Sequence, residues 1–133
     1  MTWLRSEADG ATPLDRAFGL RPNAYARFND LIDGLADGGI DPTTLDACAD
    51  RIDALLRFEP DPTSALALTG AQRAAVGYAE QYALDPHGLR DSDFEALHAH
   101  FTDAQLATLT LAVAMYDARA RFCAALDVQG SEV

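Results

Sequence analysis

The sequence lacks a paired-cysteine motif, and this absence excludes several kinds of site. Its 133 residues include only two cysteines, Cys48 and Cys123, which are far apart in the chain. No C-x-x-C occurs, and no cysteines and histidines have the spacing of a zinc site. A disulfide framework is therefore excluded by count, and we predict neither a metal ion nor a cofactor.

The chain also has few basic residues and no long apolar run. Ten basic residues face 21 acidic ones, which gives a formal net charge of −11. Such a chain repels phosphate backbones and anionic membrane surfaces, so we expect no nucleic-acid partner and no membrane partner. The longest uncharged stretch is 104–116, well short of the roughly 20 residues that span a bilayer. Residues 1–10 are acidic without an apolar core, so we expect a cytoplasmic protein.

What the chain does contain is a set of helix starts. Hydrophobic residues make up 49% of the sequence, enough for the core of one domain. Two proline starts occur, at Thr12-Pro13 and Asp41-Pro42, each with a capping residue before the proline. Three capping-box patterns follow, at Thr69–Gln72, Ser92–Glu95 and Thr102–Gln105. These signals divide the chain into helical segments.

Apolar residues recur at helical spacing within those segments, and no convincing alternating strand appears. We predict an all-α, single-domain bundle of about six helices over residues 1–133, with 1–12 and 128–133 frayed. The predicted helices are 13–19, 22–37, 42–58, 70–84, 92–101 and 103–126. The last is apolar on several sides, which predicts burial within the domain or in a contact between subunits.

Between the third and fourth predicted helices, Glu59-Pro60-Asp61-Pro62 halts the helical pattern. Proline fixes φ, removes a hydrogen-bond donor and pushes the residue before it toward extended geometry. We therefore predict that 59–68 is an ordered, non-helical connection and not a mobile lid. Leu66 and Leu68 are its candidate apolar anchors.

Several side chains are candidates for chemistry, and each has a structural alternative. His98 shares a helix face with three apolar residues, so it is either a poised acid/base group or a packed histidine. On the third helix, Asp46 with Asp50, or Asp50 with Asp53, could act as paired carboxylates or simply form a solvated acidic face. Tyr116 is either a site residue or a tyrosine that bonds across helices.

The second half of the chain carries a family resemblance. The segments TGAQRAAVGYAE (69–80), FTDAQLATLT (101–110) and MYDARARFCAAL (115–126) stand in the order of three parts of one family. They resemble the helix after the redox motif, and then the start and end of the last helix, of the alkylhydroperoxidase-like, carboxymuconolactone decarboxylase superfamily. The resemblance extends over about residues 20–128. It implies a homo-oligomer, a dimer, trimer or hexamer.

The departures from that family concern its thiol chemistry. Members with this chemistry carry a Glu, an Arg, then Cys-x-x-Cys and a His. Here Asp46 stands near the Glu position and Arg51 matches the Arg, whereas Phe58 and Asp61 fall where the cysteines would be. No His follows, so the Glu-Pro-Asp-Pro segment is interpreted as the scar of a lost redox segment. Peroxide reduction of this type needs a thiolate and a nearby resolving thiol, which the motif no longer supplies.

Three functions remain open from the sequence. The first is a redox-inactive protein of this family that binds a small organic ligand or a partner. The second is a non-redox enzyme that transfers a proton or decarboxylates a small carboxylated or carbonyl substrate, with His98 as acid/base beside Asp46, Arg51 or Tyr116. The third is a residual single-thiol, peroxidase-like enzyme using Cys48 or Cys123. A cavity that holds His98 beside Arg51 would favour the second.

Overall fold

A computed structural model describes residues 2–128, and in this range the chain forms six α-helices and no strand. The all-α prediction is confirmed. The helices are α1 (Pro13–Phe18), α2 (Pro22–Gly34), α3 (Pro42–Leu56), α4 (Gly70–Leu84), α5 (Asp91–His98) and α6 (Asp103–Leu126). None of them is both long and apolar enough to cross a membrane. Met1 and residues 129–133, most of the predicted frayed C-terminus, lie outside the described range.

The helix starts follow from side-chain capping. Thr69 and Thr102 each accept a hydrogen bond from the amide three residues on, and the glutamine there accepts one from the cap's own amide. The capping box predicted at Ser92 is wrong. The Asp93 carboxylate accepts from the Arg90 amide at 2.8 Å instead, and α5 begins one residue earlier than predicted.

Four predicted helix ends are too late; among them, α1 ends at Phe18 rather than at residue 19, and α3 ends at Leu56 rather than at residue 58. The second helix tightens into a 3₁₀ turn at Leu35–Gly38, and the chain reverses at Gly39 with φ 77°. Gln105 of α6 donates to the Gly39 carbonyl at 2.9 Å, which fixes this reversal against the last helix. α5 stops at His98 rather than at residue 101.

The main core lies where α3 packs against α4 and α6. Its fully buried side chains come from four elements; the largest are Ile52, Leu97, Leu109, Val113 and Cys48. One apolar side of α6 is buried at Leu109, Val113 and Tyr116. On another side of the same helix Leu111 is 42% exposed, so residues 2–128 leave this position of α6 partly uncovered.

A smaller apolar cluster joins the N-terminal segment to the end of α6. Leu14 and Ala17 of α1 pack with Cys123 and Val128. Backbone bonds reinforce it, because the Leu126 carbonyl accepts from the Trp3 amide at 2.9 Å and from the Thr2 hydroxyl at 2.7 Å. The first residues of the described chain are thus hydrogen-bonded to the last helix.

The connection 59–68 is non-helical, as predicted. Its anchor is Thr63, which is buried and donates to the Asp61 carboxylate through its amide at 2.8 Å and its hydroxyl at 2.6 Å. Of the two proposed apolar anchors, Leu68 packs against the main core, whereas Leu66 is 56% exposed. A polar turn closed on Asp61 therefore holds the segment, together with one leucine.

Candidate functional site

The end of α3 has an unusual residue in a common motif. The Glu59 amide donates to the Ala54 carbonyl at 2.9 Å and the Phe58 amide to the Leu55 carbonyl at 3.3 Å. This pair of bonds is the Schellman motif, which places one residue in the left-handed region, usually glycine. Here that residue is Phe58, with φ 56°, and its side chain is 97% exposed. A bulky aromatic is thus held in a disfavoured conformation without packing on its own chain.

The end of α6 repeats the same motif. The Val128 amide donates to the Cys123 carbonyl at 2.7 Å and the Asp127 amide to the Ala124 carbonyl at 3.4 Å. Asp127 takes the left-handed position, with φ 53°. The two helix ends lie side by side, and a cavity opens between them.

That cavity has a volume of about 410 Å³. Its apolar lining comes from Leu56, Ala120, Cys123 and Val128. The remaining lining residues are Asp53, Arg57, Phe58, Glu59, Arg119, Ala124 and Asp127. Phe58, Glu59 and Asp127 are exposed and form its rim, whereas Asp53, Arg57 and Arg119 are half-buried. The cavity therefore combines an apolar floor with a small group of charged side chains.

The two arginines of the cavity have no carboxylate partner at contact distance in the part of the chain that the structure describes. Within residues 2–128, neither Arg57 nor Arg119 makes an ion pair of 4.0 Å or less. The Arg119 guanidinium lies over the Tyr116 ring, 5.4 Å from its centroid. The ring orients this cation but leaves its N–H donors available.

Asp53 is a carboxylate of the cavity on which both arginines act through their charge. Desolvation raises the pKa of Asp53, and the charges of Asp50 and Glu59 raise it further. Arg119 and Arg57 act in the opposite direction but do not overcome burial. Asp53 is therefore easier to protonate than a solvated aspartate.

Both thiols are poor nucleophiles in this environment. Cys48 is wholly buried in the main core, and desolvation raises its pKa to about 12. Cys123 lines the cavity but is only 5% exposed, and its pKa is raised mainly by burial. A reactive cysteine needs a lowered pKa, so the chemistry of neither residue favours thiolate attack.

Arg51, predicted as a site residue, is taken up by other contacts. Its Nε lies 2.7 Å from Glu80 Oε1 on α4 and 3.7 Å from Asp61 Oδ2 in the connection. The pKa of Asp61 is lowered first by the Thr63 hydroxyl and also by Arg51, so the carboxylate is held in its charged form. We call Arg51, Glu80, Asp61 and Thr63 the Arg51 cluster. It joins α3, the connection and α4.

The other predicted site residues lie elsewhere. His98 is exposed, and its Nδ1 is 3.6 Å from Asp103 Oδ1, at the junction of α5 and α6. Asp46 is exposed on α3, while Tyr116 is buried on α6 with its pKa raised by desolvation. Asp46 and Tyr116 are close enough to interact by charge. None of His98, Asp46, Arg51 and Tyr116 lines the 410 Å³ cavity.

A second cavity, of about 450 Å³, lies beside the connection, and Asp61 and Glu80 are among its lining residues. These two carboxylates are already paired with Arg51, and Arg73 in the same wall donates to the Leu68 carbonyl at 3.0 Å. The cavity between α3 and α6 is therefore the better candidate site, since its two arginines make no ion pair of 4.0 Å or less within residues 2–128. Among residues 2–128, no three acidic, cysteine or histidine side chains are grouped to hold a metal ion.

Sequence reasoning singled out only part of this site. Asp53 was noted as a member of an acidic face and Phe58 as a replaced cysteine, but Arg57 and Arg119 were not identified. The available signal was the spacing of Asp53 and Arg57, one helical turn apart immediately before the proline connection. Nothing in the sequence links that turn to Arg119.

Comparisons with known proteins bear on the fold. No protein-family model matches the sequence, and no curated protein matches it. Solved structures do match. One is an alkylhydroperoxidase AhpD core, an uncharacterised peroxidase-related protein from Ralstonia eutropha JMP134, with a TM-score of 0.73 and 19% identity over 92% of this chain and 78% of that one.

Two further structures are similar. A protein of unknown function from Agrobacterium tumefaciens, a candidate AhpD antioxidant-defence protein, has a TM-score of 0.71 and 16% identity over 92% of this chain and all of that one. A cysteine-to-alanine variant of the debrominase Bmp8, in complex with 2,3,4-tribromopyrrole, has a TM-score of 0.65 and 18% identity, covering 86% and 74% of the two chains. The chain thus has the AhpD-like fold predicted from the resemblance, without a Cys-x-x-Cys pair.

Proposed function

We propose that this protein is a redox-inactive AhpD-like protein that binds a small organic ligand in the cavity between the ends of α3 and α6. The observation that carries the proposal is the lining of that cavity, where two guanidiniums that make no ion pair of 4.0 Å or less within residues 2–128 share the space with apolar side chains. Ligand sites are typically apolar clefts with a few placed polar groups. The volume of about 410 Å³ suits a small molecule.

The redox-inactive part of the proposal rests on the thiols. Both are buried with raised pKa values, and no Cys-x-x-Cys stands in the chain. We expect no turnover of tert-butyl hydroperoxide with dithiothreitol as reductant. Turnover that disappears in Cys123→Ser or Cys48→Ser would restore the single-thiol peroxidase, for which Cys123 is the better placed residue because it lines the cavity.

The binding part is tested by filling the cavity. Ala124 lines it and is exposed, so Ala124→Trp should occupy the space without disturbing the core. The matched control is Ala125→Trp, at the next exposed position of α6, which does not line the cavity. A panel of small acids, amides and amines is screened by ligand-observed NMR. Binding that Ala124→Trp abolishes and Ala125→Trp preserves supports the site; equal binding to both variants, or none to the parent, refutes it.

The proposal includes a homo-oligomer. It is supported by apolar side chains that the chain leaves uncovered, among them Leu111 on α6, Leu84 at the end of α4 and Phe58. Contact with another copy would remove such surface from water. Light scattering at micromolar concentration should give a dimer or larger; a mass of 14.3 kDa would contradict this.

A second candidate function is a non-redox enzyme, and Asp53 favours it more than His98 does. Asp53 lines the cavity and has a raised pKa, the property required of a general acid or base near neutral pH. Ligands found in the screen are incubated with protein, and their conversion is followed by NMR. Conversion that is lost in Asp53→Asn but retained in His98→Gln would assign proton transfer to Asp53.

A further inference from the structure

The charges in the α3–α6 cavity also define the class of ligand. We infer that the cavity binds a small organic monocarboxylate, with its carboxylate between Arg57 and Arg119 and its apolar part on the floor formed by Leu56, Ala120 and Val128. This inference rests on the proposed function, because it specifies the ligand of the same site.

An anion is favoured because the two guanidiniums have donors that no carboxylate of residues 2–128 occupies within 4.0 Å. Planar guanidinium groups match the geometry of carboxylates and bind them through paired N–H···O bonds. Arg119 is already oriented by Tyr116, which lies buried beneath it. Less side-chain entropy is therefore lost when a ligand binds.

A single negative charge fits better than two. The half-buried groups are two arginines and one aspartate, so one positive charge remains to be neutralised. Glu59 at the rim, together with Asp50 near Asp53, adds negative potential that a dianion such as phosphate would have to overcome. The single negative charge of a monocarboxylate neutralises the net positive charge of Arg57, Arg119 and Asp53.

An organic body is favoured by the rest of the lining. Leu56, Ala120 and Val128 offer apolar surface next to the arginines, and the aromatic ring of Phe58 stands at the rim. Burial of apolar ligand surface contributes about 25 cal/mol per Å². An inorganic anion would leave this surface unused.

The test uses benzoate, benzamide and inorganic phosphate as probes, at pH 7.5 and constant ionic strength, with the full chain. We expect benzoate to bind, benzamide to bind at least about tenfold more weakly, and phosphate not to compete with benzoate. Arg57→Gln and Arg119→Gln should each weaken benzoate binding by about tenfold or more and leave benzamide binding unchanged. Arg27→Gln is the control for net charge, since Arg27 is exposed on α2 and outside this cavity.

The outcomes separate the two proposals. Equal binding of benzoate and benzamide that Ala124→Trp abolishes would overturn the carboxylate inference and leave the ligand site standing. Competition by phosphate at the affinity of benzoate would overturn the preference for an organic monoanion. If no small molecule of the wider screen binds, the proposed function fails as well. Circular dichroism and thermal melting show whether Arg57→Gln and Arg119→Gln are folded. A loss of binding in a folded variant is then due to the change in the cavity.

Discussion

Arg51 lies in the second half of α3 and Arg57 directly follows its last residue, yet their surroundings are opposite. Arg51 is 16% exposed in its side chain and is paired with Glu80 and Asp61. Arg57 lines a cavity and has no ion pair of 4.0 Å or less among residues 2–128. The difference teaches that neighbouring elements decide whether an arginine is paired: α4 and the connection supply carboxylates to Arg51, whereas no carboxylate of residues 2–128 lies within 4.0 Å of Arg57.

The largest effect on stability is expected from replacing the paired arginine, Arg51. Arg51→Met should reduce the free energy of unfolding by about 2 kcal/mol, because Glu80 loses a charge-assisted bond in a half-buried position. Arg57→Met should change it by no more than about 0.5 kcal/mol, as for most substitutions of side chains without a partner. Urea unfolding of both variants measures the difference. Equal losses would mean that Arg57 is as structural as Arg51.

The next effect concerns the proline connection, which the Arg51 cluster holds. Pro60→Ala with Pro62→Ala should destabilise the protein by up to about 1 kcal/mol per proline, because the unfolded chain regains conformational freedom. Activity or ligand binding should change less than stability. Thermal melting and amide exchange across 59–68 check this. Fast exchange in the parent, with an unchanged melting temperature in the double variant, would identify the segment as a flexible gate.

A smaller effect, of opposite sign, is expected at the rim of the cavity. Phe58→Gly should stabilise the isolated chain by about 1 kcal/mol, since glycine adopts the left-handed conformation without strain. The exposed ring makes no packing that the substitution would lose. Phe58→Ala, which keeps the Cβ, is the control and should not stabilise. A Phe58→Gly protein that is less stable only at concentrations where the parent is oligomeric would place Phe58 in a subunit contact.

The smallest expected effect is a pH dependence of stability that arises from Asp53 in the α3–α6 cavity. Because burial raises the pKa of Asp53 above its unfolded value, its contribution to stability is full below the unfolded pKa and is lost as pH rises through the folded pKa. Asp53→Asn should therefore raise the melting temperature at pH 7, by an amount that shrinks as the pH falls toward 4. Asp33→Asn, on the exposed surface of α2, controls for net charge. A gain that is independent of pH would rule out this explanation.

Local chemistry made much of the fold predictable. The bounds of α4 and α6 match the prediction because Thr69 and Thr102 carry complete capping boxes. The end of α3 was placed two residues late because the left-handed position is filled by Phe58, and only glycine there would have signalled the motif. Local sequence patterns predict helix caps that use favoured residues. They do not predict a C-terminal cap whose left-handed position is filled by a disfavoured residue such as Phe58.

The candidate site was less predictable, for a different reason. The cavity forms between two helix ends that are distant in sequence, so its lining depends on how α3 packs on α6. The resemblance pointed to Arg51, but whether an arginine is paired or unpaired is decided by Glu80 and Asp61, which come from other elements. His98 was chosen from the apolar face that it shares, yet the end of α5 leaves it in solvent.

The hydrogen bonds from Thr2 and Trp3 to Leu126 have a kinetic consequence. They join positions at opposite ends of the described chain, so forming them requires closure of a very long loop, whereas α3 and α4 meet across a short connection. We expect the α3–α4 hairpin to form early in folding and the seam at Leu126 to form last. Val128 and Cys123 belong both to the cluster beside this seam and to the wall of the cavity. Opening of the seam would then loosen this part of the cavity wall before the main core is disturbed.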